Sequence, residues 1–159
     1  MNPEALVRVL AQARRSLAVA ESFTGGRVLD AITEVPGASA VVRGGIVAYS
    51  DEVKRLLLEV PQRILLEHGS VSAEVAAAMA RGVKQRFEAD VGLATTGIAG
   101  PTGATTAKPL GLSLVAVAYR RTHRVDRRVH LGSRGDVKGA ATRQALEVLA
   151  TVLRDEGIL

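Results

Sequence analysis

The 159-residue sequence contains no cysteine, which removes disulfides, thiolate nucleophiles and cysteine-ligated metals together. Tryptophan is absent too, and the aromatic share is only 3%, made up of Tyr49, Tyr119, Phe23 and Phe87. That is too few for the base-stacking platforms of single-strand nucleic-acid binders. No stretch approaches the roughly 18 uncharged apolar residues of a membrane span. Met1-Asn2-Pro3-Glu4 also lacks a basic region feeding an apolar one. The expectation is a cytoplasmic protein with no membrane partner.

What is present reads as one compact domain spanning residues 1–159: 47% of residues are hydrophobic and 23% charged, enough to bury a real core. The formal net charge is +5. Much of that excess lies in "YRRTHRVDRRVH" (119–130), where Arg120, Arg121, Arg124, Arg127 and Arg128 crowd one predicted hairpin. A basic hairpin without interleaved aromatics reads as a solvated sheet edge guarded against strand pairing. No specific nucleic acid is expected as a partner; self-association near that edge is, and so is a general attraction for phosphorylated small molecules.

Helix and strand patterns alternate along the whole chain. Leu6, Val7, Leu10 and Ala13 mark a helix over 3–14, with Pro3 suited to its first turn. The apolar run 17–20 is a strand, and a helix over 24–34 stops before Pro36-Gly37. "GGIVAYS" (44–50) reads as the second strand, and Ser50 and Asp51 cap a short helix through Leu58. A helix around 61–67 precedes a longer one from Ser72 to about Phe87. "VGLATTG" (91–97) is a third strand; 110–120 and 123–131 pair as a hairpin across Arg121-Thr122; a last helix covers 135–155. The sum is a single-domain three-layer α/β/α fold with a mixed sheet. Strands one to three all end in polar residues, so their carboxyl ends can converge on one crevice.

Candidate chemistry concentrates in two stretches. In "AESFTGG" (20–26), Ser22 ends the first strand and Thr24, Gly25 and Gly26 open the following helix, whose N–H groups suit an oxyanion. The histidines, His68, His123 and His130, lie in a turn or the basic hairpin, so a serine–histidine–acid triad is poorly supported. They also lack metal-ligand spacing, and no metal site is expected. A serine can instead be activated by a partly desolvated lysine. Lys54 is the candidate, its stem beside Leu57 and Leu58, with Tyr49 placed to bridge a proton. On these residues alone, an ordinary snorkelling lysine beside a half-buried tyrosine is the simpler reading. The second stretch is "TTGIAGPTGATTAKPLG" (95–111), where Gly97, Gly100 and Gly103 leave backbone N–H groups free to approach an anion. It is not a Walker A loop, because Lys108 follows alanine and precedes Pro109 and a strand.

In order along the chain, "AESFTGG", "VPGAS", "GGIVAYS" with Lys54, "HGSVSAEVA", "TTGIAGPTG" and "KPLG" closely resemble the CinA carboxyl-terminal domain family, the nicotinamide-nucleotide amidases. The resemblance covers almost the whole chain. It implies hydrolysis of the carboxamide of nicotinamide mononucleotide to nicotinic acid mononucleotide and ammonia, without metal or other cofactor, by a homodimer. It places the family's serine–lysine pair on Ser22 and Lys54, its assisting tyrosine on Tyr49 and its oxyanion threonine on Thr96. Lys108 and Arg134 become candidates for the nucleotide phosphate. The molybdopterin-binding-like domain that precedes this one in many members is not in the sequence, so its associated pyrophosphatase activity is expected to be absent.

The sequence departs from the family pattern in places. Phe23 stands where cysteine is usual, Ala104 and Ala107 replace a glycine and a glutamate of the loop, and Lys138 replaces a second arginine. A lysine holds phosphate as a point charge and cannot fork onto it. The alternative to an amidase is a non-catalytic nucleotide-binding module that regulates or scaffolds a partner.

Overall fold

The computed structural model describes residues 2–159. The first helix, α1 (Pro3–Gln12), starts where the Asn2 side chain accepts the Ala5 amide at 3.0 Å, with Pro3 in the first turn. It leads into β1 (Leu17–Glu21), α2 (Arg27–Thr33), a 3₁₀ turn at Ala38–Ala40 and β2 (Val42–Val47). Then follow α3 (Asp51–Leu58), α4 (Gln62–His68), α5 (Ala73–Arg86) and β3 (Val91–Gly97). The hairpin β4 (Leu112–Tyr119) and β5 (Thr122–Val129) and the long α6 (Arg134–Asp155) complete the chain.

The strands form one mixed sheet in the order β2-β1-β3-β4-β5. β2, β1 and β3 are parallel, whereas β4 runs antiparallel to β3 and β5 to β4. Side chains alternate across β1 and β3, so each face carries its own core. On one face Leu17, Val19, Leu93 and Val117 pack beneath Leu6 and Leu10 of α1, Val28 and Ile32 of α2, and Leu149 and Leu153 of α6. On the other, the small residues Ala18, Ala20, Ala94 and Ala116 meet Leu58, Leu65, Val75, Met79 and Val83 from α3, α4 and α5. Small residues let α5 lie close: a side chain at Gly92 would strike the Ala80 carbonyl, and one at Gly82 the Leu58 carbonyl. The result is the expected three-layer α/β/α arrangement. Among the described residues no helix is long and apolar enough to cross a membrane.

The structure corrects three boundaries, each near a turn. The second helix begins at Arg27, not at residue 24, because Gly25 and Gly26 adopt positive φ (64° and 102°) and make a turn first. β2 runs two residues earlier than "GGIVAYS" suggests and ends at Val47. The Ala48 amide still bonds the Glu21 carbonyl at 2.7 Å, but Tyr49 has left the sheet. In the hairpin, Tyr119 pairs with Thr122, so the turn is Arg120-Arg121, with Arg120 at φ 51°. Two-residue hairpin turns favour such left-handed residues because their twist matches the strands. β5 is an exposed edge, and two of its arginines reach α6 acids: Arg124 to Asp155 at 2.9 Å, Arg128 to Glu147 at 2.7 Å.

Candidate active site

The parallel arrangement of β1, β2 and β3 brings their carboxyl ends to one edge, and a cleft of about 410 Å³ opens there. Ser22 lines it from the residue after β1, with its amide held by the Thr95 carbonyl at 3.0 Å. Its position depends on Glu21. That carboxylate is 1% exposed and accepts three amides of the next segment: Gly26 and Val28 on Oε2 at 3.0 and 3.1 Å, and Leu29 on Oε1 at 2.8 Å. A buried carboxylate satisfied in this way caps α2 and complements its dipole. The turn that presents Ser22 is thereby fastened at both ends.

Lys54 enters from the first half of α3, which the Ser50 hydroxyl caps by accepting the Val53 amide at 3.2 Å. Packing of α3 against α5 leaves Lys54 2% exposed, among the largest fully buried side chains, yet the residue lines the cleft. Leu58, one helical turn on, is buried as well, while Leu57 is 38% exposed. The ammonium nitrogen lies 3.4 Å from Asp51 Oδ1. The same oxygen accepts a close hydrogen bond from the Ser70 hydroxyl, and the Ser70 carbonyl accepts the Thr96 hydroxyl at 2.8 Å. Lys54, Asp51, Ser70 and Thr96 thus form one polar chain joining α3, the turn before α5 and β3.

The remaining candidates divide. Gly97, Gly100, Gly103 and Lys108 line the cleft with Thr96, as do Tyr49 and Arg134. Tyr49 is exposed, and its hydroxyl accepts from Arg134 Nη2 at 2.7 Å; Arg134 Nη1 donates to the Gly100 carbonyl at 2.8 Å. Arg134 therefore clasps the glycine loop to the residue that leaves β2. The Lys108 ammonium donates to the His68 carbonyl at 2.5 Å, across the end of α4. α6, which carries Arg134 in its first turn, is capped by Ser133 and Asp136 in a reciprocal capping box. The Ser133 hydroxyl and amide hold the Asp136 carboxyl below its ordinary value.

Thr24, Gly25 and Gly26 do not reach the cleft, which corrects the sequence reading. Thr24 is fully buried with its hydroxyl 2.7 Å from that of Thr95, and the Gly26 amide belongs to Glu21. The α2 terminus is short and already capped from within, so it does not offer its amides to a substrate. Gly25 instead faces Lys138, whose ammonium lies 3.3 Å from where a Gly25 side chain would begin.

Sequence reasoning missed Glu21, Asp51 and Ser70 as parts of the site. Asp51 stood three residues before Lys54, the spacing of a helical ion pair, and Ser70 sat inside "HGSVSAEVA". None of the histidines lines the cleft; His130 is tied to Gln144 at 3.0 Å. Among the described residues no group of three or more His, Asp or Glu side chains could hold a metal ion.

Comparison with known proteins agrees with this architecture. The CinA C-terminal domain family model matches residues 2–153. A CinA-like protein of Synechococcus sp. (strain CC9902) is 51% identical over 115 residues, covering 72% of this chain and 27% of that protein. A CinA-like protein of Syntrophus aciditrophicus (strain SB) is 45% identical over 151 residues, covering 94% and 36%. The chain thus spans about a third of the length of such curated relatives. Among solved structures, competence damage-inducible protein A from Klebsiella pneumoniae superposes with a TM-score of 0.91 at 31% identity, covering 97% of this chain and 98% of that one. The competence/damage inducible protein CihA from Agrobacterium tumefaciens gives 0.87 at 36% identity, covering 94% of each. With the family model matching nearly end to end and the same fold in relatives of similar length, this chain belongs to the CinA C-terminal domain family.

Proposed function

We propose that the cleft hydrolyses the carboxamide of a pyridine mononucleotide, nicotinamide mononucleotide to nicotinic acid mononucleotide and ammonia. The observation that carries this reading is the opening of Ser22 and the buried Lys54 onto one cleft, with the Thr96 and Gly97 end of β3 next to β1, the strand that leads into Ser22. The family resemblance of the motifs supplies the substrate class.

In the proposed reaction the Ser22 hydroxyl attacks the carboxamide carbon while the free amine of Lys54 takes the hydroxyl proton. The tetrahedral oxyanion is met by the amide of Phe23, the residue after Ser22 that also lines the cleft, and by Thr96 once its hydroxyl turns from the Ser70 carbonyl. The C–N bond breaks as Lys54 returns the proton to the leaving nitrogen, releasing ammonia and leaving an ester on Ser22. Water then attacks the ester and gives its proton to Lys54. The acid departs, and the proton returns to Ser22. Tyr49 and Arg134 orient the ring and ribose side of the substrate; Lys108 and Arg134 attract its phosphate.

The direct test is incubation with nicotinamide mononucleotide, reading ammonia and the acid product. Stoichiometric production of both supports the amidase. Binding of the nucleotide with no ammonia released overturns it in favour of a non-catalytic nucleotide-binding module.

A further inference from the structure

At the opposite pole of the sheet, where β1 and β2 begin, a second cavity of about 470 Å³ opens between the end of α1, the 3₁₀ turn and the start of β2. It shares no lining residue with the catalytic cleft. Arg14, Arg15 and Arg43 line it, together with the hydroxyl-bearing Ser16 and Ser39 and a single carboxylate, Asp90. We propose that this cavity binds a small phosphorylated molecule, a phosphate or diphosphate ester.

Charge decides the sign of the ligand. The Asp90 carboxylate is already committed: Oδ2 accepts the Ser16 amide and hydroxyl, both at 2.9 Å, and Oδ1 lies 3.4 Å from Arg15. Among the described residues, Arg14 and Arg43 have no carboxylate within ion-pair distance, unlike Arg124 and Arg128 on the β5 edge. Two guanidinium groups therefore remain unneutralised on one concave surface. Their planar forks match phosphate oxygens, and a cavity with low-dielectric walls concentrates their field.

The backbone places both side chains deliberately. The β1–β2 register steps from Leu17 opposite Val42 to Ala18 opposite Gly44, so Arg43 is the extra residue of a bulge. Bulges re-aim a side chain that regular pairing would send elsewhere. Arg14 follows α1 in the left-handed conformation, at φ 52°, with the next amide bonded back to the Leu10 carbonyl at 2.8 Å. That helix-ending position favours glycine. The apolar wall of Ala11, Ala40, Val41 and Val42 offers a surface for the organic part of an ester. The volume falls in the range of small-ligand pockets, about 300–1,000 Å³.

Calorimetric titration of the full chain with inorganic pyrophosphate at low salt tests the proposal. The titration is run in a Lys108→Ala/Arg134→Ala background, so that cations of the catalytic cleft do not contribute. One saturable site is expected there. Adding Arg14→Gln and Arg43→Gln, singly and together, should weaken it by about tenfold or more in the pair. Arg14→Lys/Arg43→Lys, which keeps the charge and loses the fork, should fall between. An unchanged thermal midpoint of the unliganded Gln variants checks that the Asp90–Ser16 anchor still holds; where only the single variants pass, their losses are the ones read. No saturable binding, loss of binding through Lys108→Ala/Arg134→Ala alone, or affinity indifferent to Arg14 and Arg43 would overturn the site. Because the readout is binding, the result stands apart from whether the other cleft hydrolyses an amide.

Discussion

Glu21 Oε1 lies 2.8 Å from the amide nitrogen of Leu29, eight residues ahead, and the same carboxylate also holds the Gly26 and Val28 amides. One buried side chain thus closes the turn on which Ser22 stands. Glu21→Ala would leave three amide donors unpaired, one buried and two part-buried, and should lower the unfolding free energy by about 1–3 kcal/mol, read as a fall in the urea midpoint. Glu21→Gln keeps one acceptor oxygen and should cost less. A Glu21→Ala midpoint equal to wild type would show that the turn holds without its cap.

Ser22→Ala and Lys54→Met should each lower kcat for the amide by several orders of magnitude with the fold intact, and the double variant should be little worse than either, since both act in one proton transfer. Methionine preserves the volume at a site that is 2% exposed. Tyr49→Phe removes a hydroxyl that is bonded to Arg134 and should cost far less. Asp51→Ala, which releases both Lys54 and Ser70, should lower kcat more than it raises KM. Near-normal turnover in folded Ser22→Ala would remove the covalent step.

Arg134→Ala should raise KM for the mononucleotide and also loosen the glycine loop, because the guanidinium bonds the Gly100 carbonyl at 2.8 Å as well as facing the cleft. Lys108→Ala should raise KM for the mononucleotide while changing turnover of the phosphate-free nucleoside little. Equal losses on both substrates would assign Lys108 to holding the end of α4, through its bond to the His68 carbonyl.

Leu131 is 89% exposed just beyond β5, beside Val129 at 43% and Leu110 at 46%. An apolar cluster next to a basic edge is where self-association is expected. Sedimentation at micromolar concentration should give a dimer, and Leu131→Asp should shift it to monomer. A monomer in the wild-type protein would end the dimer proposal.

Acid should unfold the protein partly through Asp90. Burial raises its pKa, but the Ser16 amide and hydroxyl and the Arg15 charge outweigh that and hold it below its ordinary value of 3.8. A carboxyl with a depressed folded-state value stabilises fully above its unfolded value, and that contribution is lost as pH falls through the folded one. Between about pH 6 and pH 3, Asp90→Asn should therefore lose less of its urea midpoint than wild type does. Parallel acid limbs would show that Asp90 carries none of the effect.

Periodicity and turn chemistry in the sequence determined the element order, the full extent of β3 at Val91–Gly97 and the place of the last helix, because those depend on neighbours within a few residues. The ordered motifs likewise marked Ser22, Lys54 and Thr96, which the tertiary structure brings to one cleft. Only the tertiary structure decided that Gly26 serves Glu21 and not a substrate, and that Lys54 is buried against α5. It also decided that Arg134 meets Tyr49 across 85 residues of chain. Those outcomes rest on which elements pack together and which donors are already spent, and no local pattern of residues encodes either.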